Sequence, residues 1–163
     1  MKTINGIVDI VLFYLEATIL ASLVGICFVQ VVARYVFSAS FSWAEEVSIL
    51  LMVWATWGGA CLAVKQGTHL KVSFILDRLE QRANLALRLA FNCMAAIFLA
   101  VVALTSKQIL NAVTNMTFPS MPEVPMSIMY ISAPTGSILM IYYLLRLIVS
   151  DFKDFQMCLR KKR

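Results

Sequence analysis

The sequence predicts an all-α membrane protein with four transmembrane helices and an amphipathic interfacial helix on the cytoplasmic side. Three observations predict it. The 163 residues are 61% hydrophobic and only 14% charged, with a mean hydropathy of +0.82, outside the range of soluble domains. The apolar residues gather in four runs free of Asp, Glu, Lys and Arg, at 17–33, 47–64, 89–106 and 124–145. The charges collect at the ends of those runs. A helix rising about 1.5 Å per residue needs roughly 20 residues to cross the hydrocarbon. The expected spans are therefore 10–33, 47–64, 86–107 and 125–147, a single integral membrane domain over 1–163 with no room for a soluble one.

The first span carries Glu16 about two turns from its start, the costliest residue in the chain. Arg88 and Arg146 lie at comparable depth on the same side. An intramembrane ion pair of Glu16 with one of them is the expected structure. A proton-coupling carboxylate is the functional alternative.

Between the first two spans stands Phe41-Ser-Trp-Ala-Glu-Glu-Val47. Phe41 and Trp43 suit the aromatic belt at a membrane surface. Glu45 and Glu46 complement the positive start of the second helix. Ser42 is placed as N-cap, with Glu45 completing a capping box, and Arg34 is a candidate ion-pair partner for one glutamate. Ala55, Gly59 and Ala63 then form a small-residue stripe that permits close approach of another helix. Spacing leaves open whether that helix is internal or a partner's.

After the second span, Val72, Ile75, Leu76 and Leu79 recur at helical spacing with polar residues between them. The pattern predicts an amphipathic helix over 70–82 in the headgroup plane, anchored by Lys65, Lys71, Arg78 and Arg82 to membrane lipids. A plain extension of a neighbouring helix is the alternative. Beyond the third span, Pro119, Pro122 and Pro125 keep the chain out of helix until about Met126. Pro134, inside the fourth span, is expected to bend it. Asn92, Asn111, Thr114, Asn115 and Gln30 are expected to hydrogen-bond between helices.

The chemistry-bearing residues are few. Cys27, Cys61 and Cys93 fall in spans, Cys158 lies in the basic tail, and His69 is the one histidine. No CxxC pair exists. No catalytic set, metal site or cofactor is expected, and the chain reads as no enzyme. The net charge of +5 does not imply nucleic acid, because the basic residues flank the spans.

Those basic residues orient the chain. Lys2, the 65–88 cluster and the 146–163 cluster share one side, and Arg34 and Lys107 stand alone on the other. By the positive-inside rule both termini are cytoplasmic.

Three further segments complete the pattern: Gly58-Gly-Ala-Cys-Leu-Ala-Val-Lys65, His69-Leu-Lys-Val-Ser-Phe74, and Pro125-Met-Ser-Ile-Met-Tyr-Ile-Ser-Ala-Pro134 with Leu-Leu-Arg146. With Phe41-Ser-Trp-Ala-Glu-Glu46, their order resembles the small membrane subunit of tripartite ATP-independent periplasmic (TRAP) transporters over residues 10–150. The family often has a basic residue shortly after the two glutamates, where this chain has Ile49. The resemblance implies a bacterial inner-membrane scaffold subunit of a sodium-coupled organic-acid symporter. Its partners would be a large multi-span transport subunit and a periplasmic substrate-binding protein. Arg34, Trp43, Glu45, Glu46, Ala55, Gly59 and Ala63 would then serve partner contact or docking. The competing reading is an autonomous proton-coupled multidrug exporter using Glu16.

Overall fold

The structure is a computed structural model. It describes residues 2–39, 41–65 and 81–160, with side-chain surroundings described for 10–39, 41–65 and 84–152. Helix α1 covers Lys2–Val36, α2 Ser42–Lys65, and α3 Gln81–Val113. A hairpin of β1 (Thr117–Phe118) and β2 (Met121–Pro125) follows, then a single helical turn α4 (Ser127–Tyr130) and the long α5 (Ser132–Arg160). Four segments are long and apolar enough to cross a membrane: Ile10–Val36, Ser42–Lys65, Asn84–Val113 and Ser127–Phe152. The first three helices outrun their charge-free cores at both ends, and α5 runs past the end of its own. Polar residues such as Asn111 end the hydrocarbon match, but they do not end the helix.

The long helices pack in the order α1, α2, α5, α3. Short connections explain two of these contacts. Five residues join α1 to α2, and the hairpin joins α3 to α4 and α5, so each pair returns antiparallel against its neighbour. The central contact, α2 on α5, holds the core: Cys61 and Val64 against Met140, Tyr143 and Leu144, with Leu99 of α3 completing it. Because α1 touches chiefly α2, it stands at one end of the row. Only 6% of its most apolar window is buried, against 28% for the last span. Phe13, Val24, Phe28 and Val29 on α1, and Met94, Ile97 and Leu104 on α3, are all exposed.

Two expectations are corrected in the segment rich in proline. The chain there is not an irregular loop: Thr117 lies opposite Pro125 and Phe118 opposite Met121 in an antiparallel pair. Proline excludes helix, but a two-stranded ribbon has only edges, where a missing N–H is tolerated. The fourth span is interrupted at Ile131, and Pro134 sits in the first turn of α5 rather than bending a continuous helix. A missing N–H is harmless there. Local hydroxyls take up carbonyls at the junction, Ser132 Oγ donating to Met129 O at 2.6 Å and Thr135 Oγ1 to Ile131 O at 2.7 Å.

The amphipathic helix expected over 70–82, with Lys71 and Arg78, lies outside the described residues up to Glu80. Arg82 belongs to the first turn of α3 by its backbone, and Lys65 closes α2.

Candidate functional site

The polar side chains that the sequence singles out divide among three levels of the row. At the hairpin end, the two glutamates of α2 part company. One residue is a 100° turn around the helix, so Glu45 and Glu46 face different neighbours. Glu46 accepts the Ser120 N–H with both carboxylate oxygens, at 3.0 and 3.2 Å. It thereby clamps the hairpin tip onto the start of α2. Trp54 Nε1 donates to Ile128 O at 3.2 Å, tying the helical turn α4 that follows the hairpin to the same helix. Phe118 and Ala44 are buried beneath.

Glu45 turns instead toward α1. With Gln30, Arg34, Ser38 and Ser42 it lines a cavity of about 350 Å³. Ser38 takes the left-handed backbone region (φ 51°), ending α1. The Ala39 N–H then folds back onto Ala33 O at 3.1 Å, which brings Arg34 and Glu45 to one space. Among the described residues, neither Arg34 nor Glu45 forms a salt bridge, so the expected pairing of Arg34 with a glutamate is not made. The capping box is also replaced. Ser42 is the first helical residue of α2, and Ala44 N–H bonds to Phe41 O at 3.1 Å. Phe41 and Trp43 stand beside each other, ring centroids 6.1 Å apart, and both are exposed.

At the middle level Glu16 of α1 is buried, and its Oε2 has no hydrogen-bond partner among the described residues. Its carboxyl is pressed into the notch left by Gly58 and Gly59: a Cβ on Gly58 would lie 2.9 Å from Glu16 Cδ. Gly59 therefore serves an internal approach, that of α1. Ala55 and Ala63 above and below it are half-buried. On the other flank of α2, Trp57 packs on Gly136 of α5, and Cys61 Sγ donates to Gly136 O at 3.4 Å.

At the opposite end, Arg88 of α3 pairs with Asp151 of α5 at 3.4 Å, and Asn92 Nδ2 donates to the second oxygen of Asp151 at 3.0 Å. Arg146 lies over the Tyr142 ring, 5.7 Å from its centroid. The expected Glu16–Arg88 or Glu16–Arg146 ion pair is thus corrected. Glu16 faces α2, whereas α3, which carries Arg88, stands at the other end of the row. Arg146 is on the exposed face of α5. Asn92 does bond across helices as expected, but Thr114, just past the end of α3, donates back to Leu110 O of that helix. Asp151 was hidden in sequence because it falls just beyond the charge-free run.

The described residues contain no group of three or more His, Cys, Asp or Glu able to hold a metal. What the geometry offers is packing, clamping and surface.

Comparison with known proteins agrees. Residues 23–154 match the family described as tripartite ATP-independent periplasmic transporters, DctQ component. The sialic acid TRAP transporter small permease protein SiaQ of Vibrio cholerae is 27% identical over 142 residues, covering 86% of this chain and 79% of that protein. The C4-dicarboxylate TRAP transporter small permease protein DctQ of Rhodobacter capsulatus is 30% identical over 109 residues, 64% of this chain and 46% of that one. The sialic acid TRAP transporter permease protein SiaT of Haemophilus influenzae is 28% identical over 82 residues, half of this chain and 13% of its own length. Four apolar helices in a row, a hairpin clamped by the second glutamate of the Trp-Ala-Glu-Glu segment, and a match over most of the chain lead to one assignment: this chain belongs to the DctQ component family of TRAP transporters, a transporter subunit and not an enzyme.

Proposed function

We propose that the chain is the small scaffold subunit of a sodium-coupled, binding-protein-dependent secondary transporter for organic acids in the bacterial inner membrane. It braces a large multi-span transport subunit and helps dock a periplasmic substrate-binding protein. The names of its relatives point to a sialic acid or a C4-dicarboxylate as cargo. The observation that carries the reading is the row itself. Four helices in the order α1, α2, α5, α3 leave long apolar flanks bare and place most polar side chains at the two ends. A transport path needs a polar, hydrated site near mid-membrane. The acid at that level, Glu16, is instead packed against glycine. That packing also speaks against the exporter reading, which needs Glu16 open to water and cargo.

Both termini are cytoplasmic in this proposal, in keeping with the positive-inside bias of the basic clusters. The hairpin end, with Arg34, Trp43, Glu45 and Glu46, then faces the periplasm as the docking side. Ala55 and Ala63 extend the apolar flank along α2 for the large subunit, while Lys65, Lys71, Arg78 and Arg82 hold the inner surface. Single cysteines at Ser120 and Ser150, in a cysteine-free background, test this in spheroplasts carrying the large subunit. Ser120→Cys should react with impermeant maleimide from outside, and added binding protein should protect it. Ser150→Cys should stay unlabelled. Outside labelling of the latter overturns the orientation; unchanged labelling of the former in the presence of binding protein overturns the docking role.

A further inference from the structure

We propose that the turn between α1 and α2 holds the headgroup of a zwitterionic phospholipid with a primary ammonium, phosphatidylethanolamine, and that its acyl chain runs down the adjoining groove of α1. The proposal rests on the membrane-spanning arrangement alone and not on the transport role.

Two cavities meet at this turn. The first, about 350 Å³, is lined by Arg34 and Glu45 with the neutral polar groups of Gln30, Ser38 and Ser42. Its volume equals that of more than ten waters at about 30 Å³ each. The second, about 320 Å³, is lined by Phe28, Val29, Val32, Ala33 and Phe37. Ala39 and Phe41 border both cavities, so the polar space adjoins the apolar one. The order along α1 is that of a lipid. Arg34 stands near the end of the span Ile10–Val36, at headgroup depth. Phe28 is six residues deeper, about 9 Å at the helical rise, at the level of the acyl chains.

The charges select the headgroup. Arg34 and Glu45 face one cavity from different helices, and among the described residues each lacks a salt-bridge partner. An arginine fork suits a phosphate, which it grips with two parallel hydrogen bonds. A carboxylate suits a primary ammonium, which offers three N–H donors. Phosphatidylglycerol would bring a phosphate to Arg34 but offer Glu45 only neutral hydroxyl donors in place of a cation. Phosphatidylcholine carries a cation that cannot donate to Glu45. Glu46 does not compete, because both its oxygens hold the hairpin.

Native mass spectrometry of the purified full chain tests this, after exchange into detergent containing equal amounts of phosphatidylethanolamine, phosphatidylglycerol and phosphatidylcholine. The wild-type chain should retain phosphatidylethanolamine about tenfold over each of the others, as expected for loss of one charge-assisted contact. Glu45→Gln should abolish the preference over phosphatidylglycerol, while Arg34→Gln should lower retention of both phosphatidylethanolamine and phosphatidylglycerol. Helical content by circular dichroism should be unchanged in each variant. Equal retention of the three lipids by the wild type overturns the proposal without reference to any variant. So does a wild-type preference that survives both substitutions.

Discussion

Gly136→Val should destabilise the protein more than a comparable change at any other glycine in the described spans. Gly136 is buried where α5 crosses α2, and an added Cβ would stand 2.9 Å from both Cβ and Cε3 of Trp57. The Trp57 Cβ is fixed to the α2 backbone, so no rotamer change relieves the clash. The two helices must separate instead. Separation would strain the contact at the centre of the core and the Cys61 bond to the Gly136 carbonyl. Overpacking of this kind costs about 1–3 kcal/mol for a small addition, and the branched valine should lie at or above the top of that range. Gly25 supplies the contrast, since nothing lies within 4 Å of a Cβ placed there. Gly25→Val should stay within about 0.5 kcal/mol of the parent. Gly58→Ala should fall between, because the obstructing atoms belong to the swinging end of Glu16. Thermal unfolding of the purified protein in one detergent ranks the three. A Gly136 variant as stable as the Gly25 variant would mean that α2 and α5 do not cross where described.

Arg88→Ala should be far more damaging than Asp151→Asn, although the two changes break the same ion pair. The Asp151 side chain is 6% exposed and that of Arg88 43%. Without Arg88, a buried carboxylate retains only the Asn92 amide, and a stranded buried charge costs about 3–5 kcal/mol. Without the aspartate charge, the half-exposed guanidinium turns toward water or headgroups on its flexible stem. The loss is then of the order of an exposed pair, about 1 kcal/mol or less. Replacing both by apolar residues, Arg88→Met with Asp151→Leu, should recover most of the stability lost in Arg88→Ala. Equal losses for the two single variants would show that Asp151 is not buried in the folded protein.

The arrangement of that pair shows what the sequence could and could not tell. Bilayer thickness is written directly into run length, so four spans were legible from the charge-free stretches. Depth was legible only in part: Arg88 does sit at the Asp151 end, but Glu16 lies at the level of Gly58 and Gly59, nearer the middle. Lateral order was not legible. Two charges at equal depth meet only if their helices are neighbours, and nothing in the spacing of Glu16 and Arg88 says that α2 and α5 stand between them. The hairpin was missed for a different reason. Pro119, Pro122 and Pro125 exclude helix, but whether the remaining chain pairs with itself depends on where its ends are held. One of those holds is Glu46, and capping rules favoured Glu45 because they see only the local turn. The pairing of Arg34 was half legible: its helix end does face Glu45, across a cavity rather than in contact.

The central claim is that this chain braces a transporter and carries nothing itself. Uptake of radiolabelled sialic acid and of a C4-dicarboxylate into proteoliposomes under an inward sodium gradient tests it most directly. The chain should be reconstituted alone, and then with its large subunit and soluble binding protein. The chain alone should give uptake no faster than protein-free liposomes. The complete set should accumulate one of the two substrates, and leaving out this chain should abolish that accumulation. Substrate accumulation by the chain alone, or undiminished accumulation in its absence, would contradict the account.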